Sequence, residues 1–296
     1  MNRRTFLEST IAAAAVTSLP FRAFADEHRI DPIGVQLYTV RDLMKNDVPG
    51  TIAKVAAAGY KEVEFAGYPE LYWPKDLRAL LDSNGLSAPS SHIPYDVVLH
   101  RMPQAVEAAH ILGQKFIICP WIDDAQRAAP DGYKRAAEDF NKAGEICRAG
   151  GIQFGYHNHF WEFLPDTQLS GKLPYDFLLE STDPANVKME LDLCWITVAG
   201  KDPLAYFKKY PGRFVLAHVK DLSKLPKIIP GTKSQATIDE AATNFTPVGG
   251  GLIQWKVLLP AAQAAGVQHF FVENDEPKDA IANITASYEY LSKLRF

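Results

Sequence analysis

Apolar residues along this chain fall into short continuous runs, and between the runs they recur at helical spacing. Gly34-Val35-Gln36-Leu37-Tyr38-Thr39-Val40 reads as a first buried strand, and residues 48–58 have helical spacing up to the stop at Gly59. Residues 62–67 form a second strand, 76–83 a helix stopped by Asn84-Gly85, and 86–93 a third strand. The alternation continues with a helix over 103–112, a strand over 116–121 and a long amphipathic helix over 132–149. Strands over 153–163, 187–195, 213–221 and 269–275 follow, with helices over 174–181, 203–210, 254–265 and 278–294. Eight strands alternating with helices in 296 residues predict a single-domain α/β fold, the (β/α)8 TIM barrel. An open doubly wound sheet is the competing architecture, but no Gly-rich phosphate turn follows the first strand.

One stretch breaks the rhythm. Residues 222–251, rich in Lys, Pro, Thr and Gly, are too long for an ordinary connection and read as a lid, a specificity loop or surface decoration.

The chemistry collects where strands end. The fifth run, Gln-Phe-Gly-Tyr-His-Asn-His-Phe-Trp-Glu-Phe, passes from apolar residues to His157, Asn158, His159 and Glu162. The sixth ends near Asp192, the seventh near His218 and the eighth near Glu273. Polar groups facing an apolar interior cost free energy unless they are paired or bind a metal, and barrel active sites lie at the carboxyl ends of the strands. Glu162, Asp192, His218 and Glu273 are therefore expected to converge on a divalent cation. Strand parity agrees, since Glu190 and Asp192 share one face of the sixth strand, Leu216 and His218 one face of the seventh, and Phe271 and Glu273 one face of the eighth. Three carboxylates and one imidazole suit Mn2+, Mg2+ or Co2+ better than a structural zinc site, with Mn2+ first. Glu162 and Glu273 could also flank a substrate as an acid–base pair.

Further residues face the expected mouth. Glu64, His92, His157, Trp195 and Lys220 are substrate-contact candidates, although Lys220 could equally form an ion pair with Glu190 or Glu273, and core packing accounts for Trp195 as well.

Composition changes the picture at the amino terminus. Arg3-Arg4 followed by the apolar, Ala-rich stretch 11–19 and by Ala23-Phe24-Ala25 reads as a twin-arginine signal over 1–25, cleaved to leave a barrel over 26–296. The apolar stretch is shorter than the ~20 residues that span a bilayer, so stable membrane insertion is not expected. The implied partner is the twin-arginine export machinery, and the implied location is periplasmic or otherwise exported. Removing Arg3, Arg4, Arg22 and Glu8 moves the formal charge from −4 to −6, which gives no general attraction to nucleic acid. Cys119, Cys147 and Cys194 are widely spaced and odd in number, which argues for buried thiols over a disulfide framework.

These residues carry a resemblance. Val63-Glu64-Phe65, Tyr156-His157-Asn158-His159 with Glu162, Leu191-Asp192 with Trp195, His218-Val219-Lys220-Asp221, Gly249-Gly250-Gly251 with Trp255, and Val272-Glu273-Asn274-Asp275 resemble the xylose isomerase-like barrel superfamily of sugar isomerases, epimerases and inosose dehydratases. The resemblance implies that Glu162, Asp192, His218 and Glu273 are the metal ligands. It also implies proton abstraction next to a carbonyl through an enediolate. Ketose 3-epimerases similar to this chain carry a His where Trp195 stands, and the His-x-Lys-Asp at 218–221 looks more like the inosose dehydratase side.

The expected function is an exported, metal-dependent sugar isomerase or epimerase acting on a small-molecule sugar or keto-sugar. The alternatives are a dehydratase or lyase on keto-polyols or keto-glycosides, and a periplasmic sugar-binding protein without turnover. The endonuclease branch of the barrel would call for a basic groove, which an acidic chain does not offer.

Overall fold

A computed structural model describes residues 28–69, 71–228 and 235–296. The signal-like segment 1–25 lies outside the described residues. Eight strands close into a barrel: β1 (Gly34–Gln36), β2 (Glu62–Ala66), β3 (Ser87–His92), β4 (Phe116–Cys119), β5 (Gln153–His157), β6 (Val187–Asp192), β7 (Phe214–Val219) and, after the hairpin strands β8 (Asp221–Leu222) and β9 (Phe245–Thr246), β10 (His269–Val272). The order around the barrel is β1-β10-β7-β6-β5-β4-β3-β2, and every neighbouring pair is parallel. Parallel strands covered by helices on the outside and side chains on the inside are buried on both faces. Phe116-Ile117-Ile118-Cys119 is accordingly apolar and buried throughout.

The main apolar core lies between barrel and helices. The helix Gly132–Ala149 turns Tyr133, Ala136, Ala137, Phe140, Ala143, Gly144 and Cys147 inward, a stripe at three- and four-residue spacing. Inside the barrel a second cluster includes Phe116, Ile118, Leu216 and Phe271. Two glycines make room for it. A Cβ on Gly34 would lie 2.5 Å from Phe271 Cδ1, and one on Gly155 would lie 2.6 Å from Ile118 Cδ1. On the same strand faces, one step toward the carboxyl ends, the apolar filling gives way to His157, His218 and Glu273.

The element boundaries differ from the sequence reading where a side chain captures the backbone. β1 ends at Gln36 because its side-chain carbonyl accepts the Tyr38 N–H, and residues Leu37–Val40 turn into a 3-10 helix. β6 stops at Asp192 instead of running on to Trp195, because Asp192 Oδ1 accepts the N–H groups of Cys194 and Trp195 and caps the helix Leu193–Val198.

The expected long loop 222–251 has structure of its own. β8 and β9 pair antiparallel, and the helix Gln235–Asn244 stands between them. Asp221, fully buried, fixes the base of this insertion: its Oδ1 accepts the N–H groups of Leu222 and Ile253, and its Oδ2 those of Gly249, Gly251 and the Trp255 indole. All three cysteines are buried and free. Among the described residues no helix is long and apolar enough to cross a membrane.

Candidate active site

At the carboxyl end of the barrel a charged layer is built around Glu190. Its Oε2 lies 2.7 Å from His92 Nε2, 3.1 Å from His157 Nδ1 and 3.3 Å from His218 Nε2. Glu64 Oε2 accepts from Gln36 Nε2 and lies 2.8 Å from His218 Nε2. All of these side chains are buried. Burial alone would raise the Glu190 pKa, but His218 and His92 beside it hold the carboxylate well below its usual range. Glu64 moves the other way, raised by burial and by the Glu190 charge. His218 resists burial and is pushed well up by Glu190 and Glu273. Burial and the His218 charge lower His157 to about 4.

A second layer lies outward of the first. Asp192, His218 and Glu273 hold one donor atom each within 4.8 Å of one another, and so do His92, His157, Glu190 and His218. His218 belongs to both groups, with Nδ1 2.9 Å from Glu273 Oε2. His157 joins them as well, with Nε2 3.9 Å from Asp192 Oδ2. Lys220 Nζ closes this side at 2.8 Å from Glu273 Oε2, 2.8 Å from Asp275 Oδ1 and 3.2 Å from Asp192 Oδ2.

These donors suit a divalent cation. Asp192 Oδ2 is buried without a well-formed hydrogen bond, despite the Lys220 ammonium at 3.2 Å, and Glu64 Oε1 and Glu190 Oε1 are buried and unpartnered. Imidazoles that bind a metal usually hand their other ring nitrogen to a carboxylate, which fixes ring orientation and basicity. Glu190 and Glu64 do this for His157 and His218, leaving His157 Nε2 and His218 Nδ1 on the side of Asp192 and Glu273.

Glu162 departs from the four-residue expectation. The chain turns through a 3-10 helix at Trp161–Phe163, and the carboxylate is drawn back into its own loop. Tyr156 Oη donates to its Oε1 and the His159 N–H to its Oε2, each at 2.8 Å. Arg127 Nη1 lies 3.9 Å from Oε1, and the guanidinium stands 4.4 Å from the Trp161 ring centre. Glu162 therefore joins neither group of closely spaced donors, and it does not line the pocket that Glu273 lines. His157 takes the position on the fifth strand. Parity in β5, where Gly155 and His157 share a face, was the signal for it.

A cavity of about 420 Å3 opens above the charged layer. Of the substrate-contact candidates, His92, His157 and Trp195 line it, together with Glu273. Glu64 sits beneath, in the charged layer, and Lys220 stands behind Glu273 and Asp275. Two pocket residues were not singled out from the sequence as candidates. Asp275 has its carboxyl pushed up to about 6 by burial, against the pull of Lys220. His159 lies flat on Trp161 at 4.3 Å with Nδ1 unpartnered, and burial, His157 and Lys220 hold its pKa well below the usual value.

Known proteins share this architecture. An inosose dehydratase of Lacticaseibacillus casei is 26% identical over 267 residues, covering 82% of this chain and 86% of that protein. A sugar phosphate isomerase/epimerase from Parabacteroides distasonis superposes with a TM-score of 0.72 at 25% identity, over 93% of this chain and 96% of the other. The IOLI protein, solved with a bound zinc atom, shares the fold with a TM-score of 0.67 at 14% identity, over 88% of this chain and 98% of that one. The family model described as the xylose isomerase-like TIM barrel matches residues 52–294. With its closed eight-stranded barrel and that match over most of its length, the chain belongs to the xylose isomerase-like TIM barrel family.

Proposed function

We propose that this chain is a metal-dependent sugar-processing enzyme that removes a proton next to the carbonyl of a keto-sugar or keto-polyol and expels a β-oxygen substituent. One observation carries the reading: Asp192, His218 and Glu273 each offer a donor atom within 4.8 Å of one another, His157 Nε2 stands 3.9 Å from Asp192 Oδ2, and His157 and Glu273 line the pocket, with carboxylates behind that orient the imidazoles. These four residues would hold the cation. When bound, it supplies polarisation of a carbonyl and compensates the negative charge that develops on oxygen. The preference for Mn2+ rested on three carboxylates. With His157 in place of Glu162 the set has two imidazoles and two carboxylates, which shifts the preference toward Zn2+ or Co2+.

The remaining groups handle protons. His159 lines the pocket and is held neutral by burial, His157 and Lys220, so it is suited to take the carbon-bound proton. Asp275, hydrogen-bonded to Lys220 and raised to about 6, is suited to return a proton to the departing oxygen. Elimination is favoured over epimerisation because the opposed glutamate pair that epimerisation would use is missing, Glu162 being bonded into its loop. The relatives named inosose dehydratase are in keeping with that choice. Export through the twin-arginine machinery remains part of the proposal, and fractionation of an Arg3→Lys, Arg4→Lys double variant tests it.

Two measurements test the reading. Elemental analysis is expected to find about one transition metal per chain, lost in His157→Ala and Asp192→Asn and retained in Glu162→Gln. Loss in Glu162→Gln together with retention in His157→Ala would restore the four-residue set read from the sequence. Incubation with an inosose in deuterated water is expected to yield the dehydrated product. A stereoinverted ketone carrying one deuterium and all its hydroxyls would make the enzyme an epimerase.

A further inference from the structure

Resting on the reading above, the geometry points to the substrate class: we infer that the pocket takes an uncharged glycoside, its sugar ring at the metal-site floor and an aromatic aglycone in an apolar slot above it. The slot has two walls. One comes from the loops after β4 and β5, where Trp121 meets Trp161 edge-on at 6.0 Å and Trp161 in turn stacks on His159. The other is supplied by the insertion after β7, through Ile238, Ala242 and Phe245. Phe245 packs edge-on against Trp195 at 5.7 Å, so this wall is tied to the barrel mouth. Trp121 keeps 42% of its surface exposed at the rim, so its ring is accessible to a ligand in the slot.

Size and charge agree. A cavity of about 420 Å3 lies within the ~300–1,000 Å3 range of sites that enclose drug-sized ligands, more than one pyranose ring fills. Flat apolar walls suit an aromatic ring, which stacks or packs edge-on at low entropic cost. A phosphate would be rejected. Asp123, Glu273, Asp275 and Glu276 line the pocket, while among the described residues no Lys or Arg does, and the neighbouring Arg41 is already paired with Glu276 at 2.8 Å. The insertion thus sets specificity.

Binding of unoxidised glycosides separates this inference from the catalytic one, because they carry no carbonyl to react. Titrations of the full chain with phenyl glucoside, methyl glucoside and glucose 6-phosphate would be followed by tryptophan fluorescence and calorimetry. Phenyl glucoside is expected to bind at least tenfold more tightly than methyl glucoside, with glucose 6-phosphate weakest. That advantage should fall at least fivefold in Ile238→Asp and in Trp121→Ala, whose exposed position makes it safe for folding, while methyl glucoside binding changes less than twofold. Equal binding of the two glucosides, failure of either to bind, or preference for the phosphate overturns the inference. If a small keto-sugar is still turned over, the proposed function survives that loss. An aryl preference without turnover of any keto-sugar would uphold the glycoside slot and remove the proposed function.

Discussion

Replacing Asp221 by Asn removes a charge and two acceptor sites without changing shape, at a residue that touches neither the pocket nor the charged layer. The carboxylate serves five donors, three on Oδ2 and two on Oδ1. An Asn can keep its carbonyl toward the three-donor side, but its NH2 then faces the N–H groups of Leu222 and Ile253. Two hydrogen bonds to a charged acceptor are lost, each worth about 1.5–3 kcal/mol, so the cost is about 3–6 kcal/mol. Against a total stability of roughly 5–15 kcal/mol this is severe, and it corresponds to a fall in Tm of roughly 5–10 °C for a chain of this size. Urea unfolding followed by tryptophan fluorescence and circular dichroism measures it. Asp202→Asn is the control, because that exposed carboxylate accepts a single bond from the Leu204 N–H as a helix cap, and Asn caps about as well as Asp. If Asp221→Asn lies within about 1 kcal/mol of wild type, the anchor role is refuted.

Three more outcomes follow from the same geometry. Glu162→Gln should lose about 1–3 kcal/mol in a denaturant titration, since an amide cannot accept from both Tyr156 and the His159 N–H; an unchanged midpoint contradicts the loop-anchoring role. Gly34→Ala places a methyl 2.5 Å from the Phe271 ring and should destabilise by about 1–3 kcal/mol, the usual cost of overpacking, with Phe271→Leu in the same chain recovering part of it. In metal-free protein, His157 should titrate near 4 by NMR while His218 stays protonated at neutral pH. A depressed imidazole contributes stability that is present above the unfolded value near 6.5 and lost as pH falls toward 4; the raised His218 contributes stability present below 6.5 and lost as pH rises through its folded value. A His157 resonance titrating near 6.5 rules out the buried, neutral imidazole.

The barrel could be read from the sequence because fully buried parallel strands are continuous apolar runs, and the helix Gly132–Ala149 appears with the expected limits. Asp192, His218 and Glu273 were legible by parity on such strands. Glu162 was not, because it lies beyond the end of β5, where alternation no longer governs direction and the competition among Tyr156, Arg127 and the His159 N–H decides. Glu190 was visible as a neighbour of Asp192 on one face, yet its function, collecting three imidazoles from β3, β5 and β7, depends on contacts between strands far apart in sequence. The insertion carried a length signal only. Its hairpin and helix are held by Asp221, whose donors lie as many as 34 residues away.

The phenylalanine and leucine filling beneath the charged layer would also govern the exchange of a bound ion. With Phe116, Leu216 and Phe271 packing the inside of the barrel, an ion held above them has the open end of the pocket as its way out, through the space a substrate fills. Occupied and vacant enzyme should therefore differ in how quickly a chelator strips the metal, and a bound glycoside would act as a stopper on its own cofactor.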